Sequence, residues 1–135
     1  MAYWLLKTEP ETYSYLDLAQ LGRDHWDGVR NFTARGHIAA MKPGDLAFIY
    51  HTGKERAIVG IARIVSEPYK DPADSRFLWF DLEPVAPLQH PITLAQIKGD
   101  SRFAQWELVR LSRLSVMPVP LEIWQILTQQ KGHQA

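Results

Sequence analysis

Cysteine is missing from all 135 residues, which excludes disulfides and thiolate zinc sites. An excess of one charge is missing too: 15 Lys+Arg stand against 15 Asp+Glu. That balance argues against a grip on long stretches of phosphate, since such binding scales with the phosphates neutralised. Any nucleic-acid contact is therefore expected to be local, with one mild basic excess at 98–115, where Lys98, Arg102, Arg110 and Arg113 face only Asp100 and Glu107. No apolar run approaches the roughly 18 residues of a bilayer span, so no membrane role is expected. Internal repeats and low-complexity tracts are absent. No basic segment leading into an apolar stretch opens the sequence, which makes the cytoplasm the expected compartment. The sequence has no Gly-x-Ser-x-Gly elbow, no phosphate-cradling glycine loop and no dinucleotide fingerprint. His25, His37, His51, His90 and His133 show no His-x-x-x-His spacing. Neither a metal site nor a cofactor is expected.

What is present is apolar material for one ordinary core: 46% hydrophobic residues and 11% aromatics, read as a single domain over 1–135. Tyr3 to Lys7 reads as a first strand, closed by Glu9-Pro10. Ser14 caps a short helix with Asp17 as its capping-box partner, and Gly22 stops it. Trp26 to Asn31 is polar and glycine-bearing and reads as a loop into a helix through Ile38 and Met41, which Pro43-Gly44 ends. Asp45 to His51 and Ala57 to Val65 are strands joined by a hairpin loop at 52–56. Phe77 to Val85 alternates as a third long strand. Thr93 caps a helix through Ile97, Phe103 to Trp106 forms a helical turn, and Leu108 to Val119 reads as extended chain. Pro120 opens a last helix, Leu121 to Leu127, before a frayed tail at 129–135. Hairpin-joined strands with short helices inserted between them give an α+β class with a mixed, mostly antiparallel sheet curling toward a barrel.

Six segments in order, YWLLKTEP at 3–10, YSYLDL at 13–18, WDGVRN at 26–31, MKPGDLAFIYHTG at 41–53, IVGIARI at 58–64 and LVRLSRLSVMPV at 108–119, resemble the EVE domain family over nearly the whole chain. The resemblance implies a PUA-like pseudo-barrel, a fold shared with the YTH and SRA readers of methylated bases. It further implies a partner of DNA or RNA carrying a modified base, such as methylated or hydroxymethylated cytosine. From chain order, the resemblance implies that Trp26 is the candidate cage tryptophan and that Asn31 would face the same pocket, with Tyr50-His51-Thr52 and Ser112 to Ser115 completing its wall. The family's usual Ala-Arg-Asn is Ala34-Arg35-Gly36 here, so a polar group is missing at position 36.

To read one base, a protein must cover its π face and meet its polar edge with fixed donors and acceptors. Trp26, among His25, Asp27 and Gly28, reads as a rim residue offering that face, so Trp26→Ala is expected to remove binding and leave the fold. Trp4 reads as core, and Trp79, Trp106 and Trp124 read as core or surface packing, with Trp79 open as a second wall. Asn31, His51, Thr52, Ser112 and Ser115 could meet the edge; Asn31 reads equally as a helix cap. Arg30, Arg35 and Arg113 could hold flanking phosphates or take part in ion pairs. No catalytic residue is assigned. The rival readings are an enzyme, in which His51 activates Ser112, and a protein-interaction module built on the tryptophans and a sheet edge. Oligomeric state is left open.

Overall fold

The computed structural model of the chain describes residues 1–129. Its elements run β1 (Tyr3–Thr8), α1 (Tyr15–Leu21), β2 (Asp24–Trp26), α2 (Phe32–Ala39), β3 (Leu46–His51), β4 (Ala57–Ile64), β5 (Tyr69–Lys70), β6 (Leu78–Thr93), α3 (Leu94–Lys98), α4 (Glu107–Arg110), β7 (Val116–Pro118) and α5 (Leu121–Thr128), with a 3₁₀ turn at Ser101–Phe103. The strands lie in the order β2-β6-β4-β3-β1-β7, and β5 pairs with β6. Every pairing is antiparallel except β1 with β3. This is the expected PUA-like arrangement, a mixed and mostly antiparallel half-barrel with short helices between strands.

The apolar runs form the middle of the sheet because they can be buried on both faces: Leu5, Leu6, Phe48, Ile58 and Ile64 are essentially inaccessible. Each such side chain contributes roughly 1.5–3 kcal/mol relative to exposure. Trp4 belongs to this core, and its indole N–H donates to Asp45 Oδ2 at 3.0 Å. The capping signals act as expected. Ser14 accepts from the Asp17 N–H while Asp17 accepts from the Ser14 N–H, and Thr93 and Gln96 repeat the device at α3.

Gly60 has a packing reason. A Cβ there would lie 2.5 Å from Tyr15 Cε1. The Tyr15 ring lies across β4 and its hydroxyl donates to the Ile61 carbonyl at 2.8 Å, which anchors α1 and the loop before it.

Four expectations need correction. Asp24–Trp26 is a strand rather than the start of a loop, pairing Trp26 with Phe80. The third long strand, which contains Pro84, does not end at Val85 but runs on to Thr93 through Pro87 and Pro91. These prolines are tolerated because β2 covers only Phe80 to Leu82, so beyond Leu82 only β4 pairs with β6. Leu108 to Val119 is not continuous extended chain: Glu107–Arg110 is helical and only Val116–Pro118 pairs, with β1. The helical turn expected at 103–106 sits earlier, at Ser101–Phe103. Of the expected frayed tail, Gln129 donates its N–H to the Gln125 carbonyl, and 130–135 lie outside the described residues.

Candidate functional site

The end of β1, the loop leading to α1, β2 with its following turn, and the residue before β7 enclose a cleft of about 440 Å³. That size falls within the roughly 300–1,000 Å³ of small-molecule sites. Lys7, Thr8 and Glu9 form one side, Thr12 and Tyr13 the next, Asp24 to Val29 the third, and Ser115 closes it. Local chemistry fixes each wall. Thr8 Oγ1 donates to the Tyr13 carbonyl at 2.7 Å and the Thr12 and Tyr13 N–H groups both donate to the Glu9 carbonyl, which curls the loop. Gly28 has φ +77°, a left-handed conformation that lets the chain turn at the lip.

Trp26 and Tyr13 meet edge to face, ring centroids 6.0 Å apart. The Tyr13 hydroxyl donates to Asp24 Oδ2 at 2.7 Å. Burial, then this hydrogen bond and the charges of Asp24, Asp17 and Asp27, hold its proton far above the ordinary range, so Tyr13 stays a donor. His25 pairs with Asp27 at 2.9 Å and its ring lies flat on Trp79 at 4.5 Å. Opposite, the Lys7 ammonium donates to the Ser112 carbonyl at 2.9 Å and lies over the Tyr50 ring. Burial pulls the Lys7 pKa down. The cleft thus has two carboxylates (Asp24, Asp27) along one wall, and an ammonium and a hydroxyl (Lys7, Ser115) with the Glu9 carboxylate beside them along the other.

Of the residues expected from sequence, only Trp26 and Ser115 line this cleft. Trp26 is no rim residue: it is 7% exposed, presenting a narrow strip to the space. Truncating it to alanine would cost about 3–5 kcal/mol, so the expectation that Trp26→Ala leaves the fold untouched is revised. Asn31 caps α2, accepting from the Ala34 N–H at 2.9 Å, and lines a separate groove with Thr33, Arg110, Ser112 and Arg113. Tyr50 and His51 are buried one strand over from Lys7 and Thr8. His51 Nε2 accepts from the Tyr15 N–H at 3.0 Å, so its other nitrogen carries the proton donated to Glu55 at 2.9 Å. No nitrogen remains to activate Ser112. Thr52 donates its N–H to the Thr8 carbonyl and borders a neighbouring depression.

Arg30 pairs with the buried Asp71 at 3.0 Å, and Arg35 donates to the Arg76 carbonyl at 2.8 Å. The Asp71 carboxyl is held low, chiefly by the Ala73 N–H, with Trp79 and Arg30 adding to it. Trp79 stands behind His25, outside the cleft wall. Lys7, Glu9, Tyr13, Asp24 and Asp27 were not singled out from sequence, although Lys7, Glu9, Tyr13 and Asp27 fall inside the segments that carry the family resemblance.

The EVE domain model matches residues 2–130. The chain belongs to the EVE domain family. This EVE domain is similar to chicken thymocyte nuclear protein 1, 47% identical over 81 residues that make up 51% of the chain and 34% of that protein. The matched stretch is about a third of the length of that curated relative. A Rhodopseudomonas palustris protein solved by NMR has 43% identity and a TM-score of 0.88, covering 93% of this chain and 90% of that one. The crystal structure of the human THYN1 protein in complex with 5-methylcytosine-containing DNA has 29% identity and a TM-score of 0.86, covering 94% and 95%.

Proposed function

We propose that this EVE domain is a non-catalytic DNA reader that takes a modified cytosine, turned out of its stack, into the cleft beside Trp26. The observation that carries the reading is the pairing of two carboxylates, Asp24 and Asp27, with the Lys7 ammonium and the Ser115 hydroxyl around an aromatic pair. Cytosine offers an amino donor next to ring acceptors, and a carboxylate is a natural partner for that amino group. Asp24 or Asp27 would accept from it, Lys7 and Ser115 would donate to the acceptors, and Trp26 with Tyr13 would cover the ring. Three carboxylates disfavour a phosphate inside the cleft. The base therefore enters while the backbone stays outside, toward Arg110 and Arg113 in the groove next to Ser112. The human THYN1 complex with 5-methylcytosine DNA supports the ligand class. A methyl group contributes about 0.8 kcal/mol by burial, so selectivity rests on fit and should be of the order of 10- to 200-fold.

The test is equilibrium binding to matched DNA and RNA strands carrying unmodified, methylated or hydroxymethylated cytosine, repeated with Trp26→Phe and Asp24→Asn. Trp26→Phe keeps an aromatic in a buried place. The expected result is preference for one modified DNA strand, reduced several-fold by Trp26→Phe and more than tenfold by Asp24→Asn. Equal weak binding to every strand, unchanged by either substitution, would refute it, and preference for RNA would redirect it.

A further inference from the structure

Three residues beyond the cleft wall at Val29 stands an aromatic that the base pocket does not use. Phe32, the first residue of α2, is 62% exposed. Its ring is supported from beneath by Phe77, with centroids 5.1 Å apart at 25°, and Phe77 itself is buried. The guanidinium groups of Arg30 and Arg76 lie over Phe77 at 5.2 and 5.6 Å, and Arg35 is tied to the Arg76 carbonyl. Asp71 and Asp74 answer Arg30 and Arg76, yet those two arginine side chains remain 51% and 70% exposed. A rigid apolar ring thus stands among three cations against two carboxylates. Three extended residues span at most about 11 Å, so this ring stands within a few base steps of the cleft.

Removing a base from a duplex leaves an unstacked step, and proteins that open such steps commonly place an apolar side chain against it. We propose that Phe32 is this stacking residue: when a modified cytosine leaves a DNA duplex for the cleft, the outer face of Phe32 covers the neighbouring base left exposed, with Arg30, Arg35 and Arg76 against the adjacent phosphates. The proposal rests on the base-reading function above and assigns a residue to the duplex side of the same event. The Phe77 support keeps the ring in place before DNA arrives, so little ordering is lost on contact.

The consequence separates two ligands. A cytosine in a single strand leaves no broken duplex step, so Phe32 matters to duplex binding alone. The experiment measures affinity for a 5-methylcytosine duplex, for the same modified strand unpaired and for the unmethylated counterpart of each, with wild type, Phe32→Ala and Phe32→Trp. Thermal melts verify that each variant is folded. Expected is a loss of about 5- to 150-fold for Phe32→Ala on the duplex, the range for one base–aromatic stack. The single strand should change less than twofold, and Phe32→Trp should keep duplex affinity. An equal loss on both ligands, or none on either, overturns the assignment of Phe32 and leaves the cleft reading intact. Wild type that ignores methylation in both forms overturns both.

Discussion

Gly60 offers the sharpest test of how the cleft is held. Its φ lies outside the left-handed region, so the backbone itself would accept alanine. The obstacle is a side chain: the new Cβ would meet Tyr15 Cε1, Cδ1 and Cζ at 2.5, 2.6 and 2.7 Å. Ordinary carbon contact is about 3.5–4.0 Å, so the ring must withdraw by about 1 Å. It cannot do so freely, because the Tyr15 hydroxyl donates to the Ile61 carbonyl at 2.8 Å and its N–H donates to His51 at 3.0 Å. Overpacking costs about 1–3 kcal/mol, and a weakened hydrogen bond adds about 1. The reduced freedom of the unfolded chain returns about 0.4–1. The net expectation is about 2–3 kcal/mol, or a fall in Tm on the order of 10 °C for a chain of this size. Urea unfolding of wild type, Gly60→Ala, Tyr15→Ala and the double variant measures it as a cycle. In the Tyr15→Ala background the alanine at 60 has no ring to meet, so its cost should largely vanish. Gly60→Ala within about 0.5 kcal/mol of wild type, or an equal cost in both backgrounds, would refute the reasoning. Because Tyr15 follows the loop that supplies Thr12 and Tyr13 to the cleft, Gly60→Ala should also weaken ligand binding.

Two further outcomes follow from hydrogen-bonded polar groups. Tyr69 is pushed up to about 12 by burial and by its hydrogen bond to Asp81, and Tyr13 is raised further still. Both phenols hold their protons more tightly folded than unfolded, so their contribution is complete below pH 10, the ordinary tyrosine value; that of Tyr69 is lost as pH rises through about 12, and that of Tyr13 only at still higher pH. Stability measured against alkaline pH should fall in that window, and less steeply in Tyr69→Phe; an identical slope would contradict the assignment. Asp45 is 5% exposed and accepts from the N–H groups of Ala2, Lys42 and Trp4. Asp45→Ala leaves the buried Trp4 indole N–H and two part-buried backbone donors short of a partner and should cost about 1–3 kcal/mol, read by denaturant unfolding, with Trp4 fluorescence shifting toward that of exposed indole.

The middle of the fold was legible because its signals are redundant. β3 and β4 combine β-branched density with a glycine-bearing hairpin loop, and α1 carries both its capping box and its Gly22 stop. β2 was not legible: Asp-His-Trp has no alternation, and it is a strand only because β6 offers it a free edge at Phe80 to Leu82. The extension of β6 was hidden by two prolines, Pro87 and Pro91, whose acceptability depends on what lies on the far side of the strand. Of the expected site residues, Trp26 and Ser115 line the cleft, whereas His51 was expected there because a strand-end histidine looks available from sequence. Its two hydrogen bonds, to Tyr15 and Glu55, are tertiary facts. The acidic wall escaped notice since Asp24 and Asp27 look like solvated loop charges until Tyr13 is seen donating to one of them.

The strand that closes the cleft comes from the other end of the chain. β1 pairs with β7 through Leu5 and Met117, the Lys7 N–H donates to the Ser115 carbonyl, and the Lys7 ammonium reaches Ser112 across 105 positions. Contacts so distant in sequence form late, after the nearer pairings have reduced the loop that must be closed. During synthesis, a chain that has emerged only through β6 carries Trp26, Tyr13 and Asp24 and still has no finished cleft. The cleft is therefore assembled from segments about a hundred residues apart, and it has both its walls only once 112–118 has docked on β1.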